Sequence, residues 1–282
     1  MMDNFWKNML RKIFRSSLNI VFSNNPNKLA QIALPNRYQL IWSSEYVGRK
    51  IALRSWEITE SNFFQNYLKE GDICLDIGAN IGYYTHLFAS KVGSNGAVIS
   101  IEPLKRNACL IELNSVINNT NHFVKVVPTA VSDVEDSELE FSQTADSAFS
   151  FVVSDSSQSR LGSDHIKPGS EKSKMPTTTI DLIVKTLSLK KVDIVKIDVE
   201  GFEYRVLNGM SNLLANSSMR PRLMMIELLS AHLDYYHSSI DEVCNFLEAY
   251  GYASKIINKK GVFSPYEPHH HDKIHNVFFV SD

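Results

Sequence analysis

The chain predicts a doubly wound α/β fold, mostly parallel and finished by an antiparallel strand, and three observations predict it. Short apolar runs alternate with helical segments from residue 56 onward, as parallel strands joined by crossover helices do. The stretch Asp76-Ile-Gly-Ala-Asn-Ile-Gly82 sits between one such run and the next helix, and so reads as a strand-to-helix turn. Acidic residues recur where strands end, at Glu102, Asp198 and Glu227. At 282 residues and 44% hydrophobic content, the chain can bury one large core.

Residues 1–55 read as an N-terminal amphipathic helix and accessory segment, ahead of one domain over residues 56–282. Phe5, Trp6, Met9, Leu10, Ile13, Phe14 and Leu18 repeat at helical spacing, with Lys7, Arg11 and Arg15 on another face. Such a basic helix over residues 5–22 either docks peripherally on an anionic membrane surface or, as the commoner outcome, packs on the domain or an oligomeric partner. It lacks the continuous apolar stretch and cleavage site of a secretory signal. Tyr38 to Leu53 alternates loosely, as a hairpin or a strand would.

Thr59 is placed to cap a helix over Glu60–Lys69 that stops at Gly71. A strand over Asp72–Leu75, the glycine turn and a helix over Tyr83–Lys91 follow. Next come a strand over Ala97–Ile101, ended by Pro103, a helix over Leu104–Val116 and a strand over His122–Val127. Residues 142–177 are serine-rich, contain Pro168-Gly169 and read as a loop, either disordered or a lid over the substrate. Thr179-Ile180-Asp181 opens a further helix. Strands over Val192–Ile197, Leu223–Ile226 and Asn276–Val280 complete the pattern.

Right-handed crossovers leave the carboxyl ends of the parallel strands facing a common crevice. Gly78 and Gly82 let the chain turn sharply there and let a ligand approach the main chain, while the free N–H groups opening the next helix favour negative charge. Glu102, twenty residues beyond Gly82, is placed as a carboxylate must be to accept both hydroxyls of a ribose. The loop lacks the Gly-x-Gly-x-x-Gly spacing that a pyrophosphate needs. Asp76, ahead of the first glycine, suits a nucleoside cofactor that carries an amine, as S-adenosylmethionine does. Asp198, Glu200 and Glu203 then crowd the end of a second strand, where helix capping accounts for one of them. Lys196 lies inside that apolar strand, and a buried ammonium needs an acid beside it.

Four blocks carry a resemblance to a known family: Asp76 to Thr85, Ile101-Glu102-Pro103, Thr179-Ile180-Asp181, and Val195-Lys-Ile-Asp-Val-Glu-Gly-Phe-Glu203. They resemble the signature blocks of the FkbM-type methyltransferases, over a stretch from about residue 45 to about residue 250. The resemblance implies a Rossmann-like, S-adenosylmethionine-dependent O-methyltransferase acting on a hydroxyl of a small molecule or glycan. It carries the cofactor role to Asp76, Gly78, Asn80, Gly82, Thr85, Glu102 and Pro103. It carries the active-site rim to Asp198, Glu200 and Glu227. Some relatives bind a divalent cation such as magnesium through such carboxylates, which here would be Asp198, Glu200 and Glu227. His232, five residues past Glu227, is the candidate general base, though a lone helix histidine is more often simply exposed.

The net charge of −2 and the lack of a Lys/Arg block argue against a nucleic-acid partner. No Asn-Pro-Pro-Tyr type element stands at Asp198, which argues against a DNA amino-methylase. Cys74, Cys109 and Cys244 read as reduced core thiols and favour a cytoplasmic location. No run of eighteen apolar residues exists to span a membrane. Pro268-His-His-His-Asp272 reads as a solvated loop, because adjacent side chains on an extended segment diverge. Two other function classes stay open: a catalytically silent partner-binding protein on the same fold, and a nicotinamide-linked oxidoreductase.

Overall fold

Buried apolar runs become strands because both faces of a parallel sheet are covered by helices. In the computed structural model, which describes residues 30–33, 39–42, 50–51, 55–143, 150–152, 171–267 and 275–281, the chain opens with β1 (Ala30–Ala33) and β2 (Gln39–Trp42), an antiparallel hairpin. Helix α1 (Ile58–Tyr67) leads to β3 (Ile73–Ile77), α2 (Tyr83–Val92), β4 (Ala97–Ile101), α3 (Lys105–Ile117) and β5 (Val124–Val127). Four strands follow, β6 (Ala130–Val131), β7 (Glu138–Gln143), β8 (Ser150–Val152) and β9 (Glu171–Thr178). The chain then runs through α4 (Ile180–Thr186), β10 (Ile194–Ile197), α5 (Glu203–Asn208), α6 (Ser211–Ala215), β11 (Leu223–Leu228), α7 (Ser230–Tyr235) and α8 (Ile240–Ala249). It closes with β12 (Tyr252–Ile257), β13 (Phe263–Pro265) and β14 (His275–Ser281).

Eight strands form the central sheet in the order β13-β12-β14-β11-β10-β3-β4-β5. Strands β11, β10, β3, β4 and β5 are parallel, and β14 lies antiparallel between β11 and β12. This is the predicted doubly wound sheet with its final antiparallel strand. Its order reverses beside β3: the chain moves from β3 to β4 and β5 on one side, then returns to β10 on the other. A crevice opens at the carboxyl ends of β3 and β10, as at any such switch point. Alternate residues serve the two faces. Leu75, Ile77, Val195 and Ile197 pack with α4, α5 and α8, whereas Cys74 and Ile194 pack with Phe64, Leu87 and Phe88 of α1 and α2.

Several boundaries differ from the sequence reading. Thr59 lies within the first turn of α1, and Glu57 precedes the helix in a left-handed conformation with no side-chain cap. Strand β3 extends through Asp76 because that carboxylate finds Thr85 and a neighbouring cation inside the fold, a solution that apolar patterning does not reveal. The stretch over residues 142–177 is not plain loop where it is described. Strands β6, β9, β7 and β8 form a second sheet, with β9 parallel to β6 and antiparallel to β7. Lys172 and Lys174 keep one face of β9 in water, which is why the segment lacks an apolar signature. Cys74 is buried, but Cys109 is exposed and Cys244 half-buried, so only Cys74 is a core thiol; all three are free. The segment at residues 5–22 and the Pro268–Asp272 cluster lie outside the described residues. No described helix is long and apolar enough to cross a membrane.

At the opposite end of the sheet, Arg222 ties three strand starts together. Its guanidinium donates to both carboxylate oxygens of Asp72 at 3.0 and 2.6 Å and lies 3.1 Å from Asp193. Asp193 in turn accepts from the Ile73 backbone N–H at 2.8 Å. The Arg222→Ala variant leaves two largely buried carboxylates without this partner. It is expected to lower stability in urea denaturation by about 2–3 kcal/mol, with an unchanged denaturant slope.

Candidate active site

The turn after β3 holds three left-handed residues in five, Gly78 at φ 74°, Asn80 at φ 51° and Gly82 at φ 85°. Gly78 is required by contact as well as by conformation. A Cβ there would sit 1.8 Å from the Asp198 carbonyl oxygen, so the turn passes directly against the end of β10. The N–H groups of Gly78 and Ala79 both donate to the Ile101 carbonyl, at 3.0 and 3.1 Å, and hold the turn beside the end of β4.

Glu102, the residue after β4, is buried against this turn. Its Oε2 accepts from the Asn80 N–H at 2.8 Å, and its Oε1 accepts from the Leu104 N–H at 2.9 Å and more weakly from Asn107 at 3.4 Å. Burial raises its carboxyl pKa to about 7, against the pull of those donors. Gly78, Asn80, Glu102 and Pro103 line a cavity of about 560 Å³, within the usual range for ligand pockets. Asp76 and Thr85 lie beneath it. Thr85 donates to Asp76 Oδ2 at 2.6 Å and shares a 2.9 Å hydrogen bond with Ser100, while Asp76 Oδ1 is buried with no hydrogen-bond partner among the described residues. Gly82 sets the start of α2 without lining the cavity.

Across the switch point the acidic rim is assembled from β10, β11 and α7. Lys196 Nζ donates to Asp198 Oδ2 at 3.0 Å, which answers the demand of a buried ammonium for an acid. Burial pulls the Lys196 pKa down, but the charges of Asp198, Asp76 and Glu57 outweigh it and drive the pKa upward. Glu203 turns away from the rim. Its Oε1 accepts from the Val199 and Gly201 N–H groups at 3.2 and 3.0 Å, bracing the loop as a capping acid does.

Glu200, at φ 55°, points to His232, whose Nδ1 stands 3.1 Å from Glu200 Oε2. Gly201 permits this approach, since a Cβ there would lie 2.5 Å from the His232 carbonyl oxygen. Burial alone would lower the His232 pKa, but the hydrogen bond and charge of Glu200 hold it above the ordinary histidine value. Glu227 protrudes from β11, its carboxyl pKa pushed well up by burial and then by the charges of Asp198 and Glu200. Asp198, Glu200, Glu227 and His232 all line the same cavity as Glu102.

Three groups of lining residues escape the sequence reading. Trp56 and Glu57 enter from the segment ahead of α1, and Tyr84 enters from the first turn of α2, its hydroxyl donating to Glu57 Oε2. Leu139 and Phe141 of β7 and Val152 of β8 supply an apolar wall. Val152 also accepts a 2.8 Å hydrogen bond from the Tyr236 hydroxyl, which fastens the second sheet to the end of α7. Phe141, Val152, Phe202 and Tyr236 pack in one cluster there. Only the aromatic pair Tyr83-Tyr84, just after the glycine turn, offered a local signal for any of them.

No curated protein matches the chain. Among solved structures, the chain is similar to the SAM-dependent O-methyltransferase from Thermotoga maritima, at 14% identity over 93% of this chain and 80% of that one, with a TM-score of 0.44. It is also similar to the O-methyltransferase from Bacillus cereus in complex with SAH, at 13% identity over 79% and 81% of the two chains, with a TM-score of 0.42. Fibrillarin from Aeropyrum pernix with natively bound S-adenosyl-L-methionine stands at 12% identity over 75% and 67%, with a TM-score of 0.41. A family profile described as "Methyltransferase FkbM domain" matches residues 76–254, from the first acid of the glycine turn into β12. That span is well over half of the chain and contains the turn, Glu102 and the whole acidic rim, and the chain belongs to the FkbM methyltransferase family.

Proposed function

We propose that the chain is an S-adenosylmethionine-dependent O-methyltransferase acting on a hydroxyl of a small molecule or sugar. The observation that carries this reading is the pairing, in one cavity, of a ribose-type carboxylate at the end of β4 with a His–Glu pair at the rim beyond β10. Bound S-adenosylmethionine would supply an electrophilic methyl group, so the protein's tasks are alignment, exclusion of water and removal of one proton.

Glu102 accepts the two ribose hydroxyls, as only its ionised form can do with both oxygens already receiving N–H donors. Asp198 borders the reacting centre and orients the acceptor hydroxyl. His232 takes the hydroxyl proton at Nε2, while Glu200 accepts from Nδ1–H, fixes the tautomer and stabilises the imidazolium that results. The apolar wall of β7 and β8 keeps water from the cavity.

A second feature supports a cation at the rim. Asp198, Glu200 and Glu227 each offer an oxygen within 4.8 Å of the others, and their mutual repulsion fits the oxygen-rich, negative donor set that a hard divalent ion takes. Such an ion would lower the pKa of the acceptor hydroxyl.

Expected outcomes concern the cofactor carboxylate, the base and the cation. At pH 8, above the Glu102 pKa of about 7, Glu102→Ala should weaken S-adenosylhomocysteine by about 2 kcal/mol, near thirtyfold, in titration calorimetry. Wild-type affinity should likewise fall from pH 8 to pH 6 as that carboxylate takes a proton. In pH–rate profiles, kcat/KM should rise with pH through a pKa above 6.5, because only neutral His232 accepts the proton. Glu200→Gln removes the charge that favours the imidazolium, so the rise should move to lower pH and the plateau should drop. For the cation, dialysis against EDTA should lower turnover at least tenfold and added magnesium should restore it; unchanged turnover would remove the ion from the reading.

A further inference from the structure

We propose that Glu57 receives the α-ammonium of the cofactor's amino-acid end, which brings a residue upstream of the family-matched segment into the cofactor site. The inference rests on the cofactor reading above.

Glu57 precedes α1 at φ 37° and ψ 52°, a left-handed conformation that non-glycine residues avoid unless their surroundings impose it. Short side chains such as Ser or Asp cap a helix from that position, whereas the longer Glu57 side chain makes no cap hydrogen bond. It turns into the cavity instead, where the Tyr84 hydroxyl donates to Oε2 and no described residue bonds Oε1.

Sheet order supplies the direction. Glu102 ends β4 on one side of β3, and Lys196 lies in β10 on the other. A cofactor laid across the carboxyl end of β3 with its ribose on Glu102 extends its amino-acid end over β10. On that side Lys196 Nζ stands 5.1 Å from the centroid of the Tyr84 ring, and Tyr84 reaches Glu57. Lys196 is already committed to Asp198 at 3.0 Å. Asp76, which the sequence offers for the ammonium, keeps one oxygen unpartnered among the described residues, but it is fully buried and absent from the cavity wall, so a ligand in the cavity does not reach it. Glu57, which lines the cavity and has no bond to Oε1 among the described residues, is therefore a carboxylate open to a cationic group at that end, beside the Lys196 charge that it shares with Asp198.

The test is titration calorimetry on the full chain with two probes, S-adenosylhomocysteine and 5′-methylthioadenosine, which keeps the nucleoside and sulfur but lacks the amino-acid end. Glu57→Gln should weaken S-adenosylhomocysteine about tenfold or more, the loss of one charge-assisted pair, and leave methylthioadenosine within about twofold. Tyr84→Phe, which frees the carboxylate to swing, should give a smaller loss with the same selectivity; it carries the comparison if Glu57→Gln does not fold by unliganded melting. Equal losses for both probes, or undiminished S-adenosylhomocysteine binding, overturn the assignment. Wild-type protein that binds both probes while the variants lose nothing sinks this inference alone, whereas wild-type protein that binds neither sinks the cofactor reading with it.

Discussion

Lys196 brings a charge into a strand whose neighbours Val195 and Ile197 are fully buried, and the placement of the surrounding acids follows from that charge. In water an ammonium is cheap. Inside the sheet it requires carboxylates on more than one side, and Asp198 from its own chain segment, Asp76 from the adjacent strand in register and Glu57 from the segment ahead of α1 answer it together. Three separate parts of the chain are thereby drawn to one end of the sheet, with the Tyr84 ring packed on the ammonium. The acids pay back the ammonium's desolvation, and the ammonium lets Asp198 stay beside other acids at the rim.

Close approach of backbone to backbone is the second requirement. Gly78 brings the turn after β3 onto the end of β10, and Gly201 brings the loop after β10 onto the first turn of α7. Each contact would be lost to a single methyl group. The first seats the glycine turn against Asp198, and the second allows Glu200 and His232 to meet although they lie 32 positions apart in the chain. The histidine thus draws its basicity from a partner supplied by the neighbouring loop.

Much of this was legible in the sequence where local patterning and final environment coincide. Strands β4, β10 and β11 are apolar runs because both of their faces are covered, and the glycine turn and Glu102 announce themselves by spacing. Legibility fails where the deciding partner is distant in the chain. Asp76 ends an apolar run on paper but continues β3 because Thr85 and Lys196 receive it. The strands between residues 138 and 178 are hidden because one face of β9 stays wet. Glu57 carries no signal of its own beside Thr59, the cap that the sequence offers, and nothing near it indicates that Tyr84, 27 residues on, turns it inward.

The second sheet leaves the parallel sheet after β5 and returns to nearly the same place. Val131 and Thr178 are register partners, and the Ser132 N–H donates to the Thr178 carbonyl at 3.0 Å. An excursion pinned at its neck can be lengthened, shortened or refaced without displacing the strands on either side of it. Rewriting that arm alone would reshape the Leu139, Phe141 and Val152 wall while Glu102 and the acids beyond β10 kept their places.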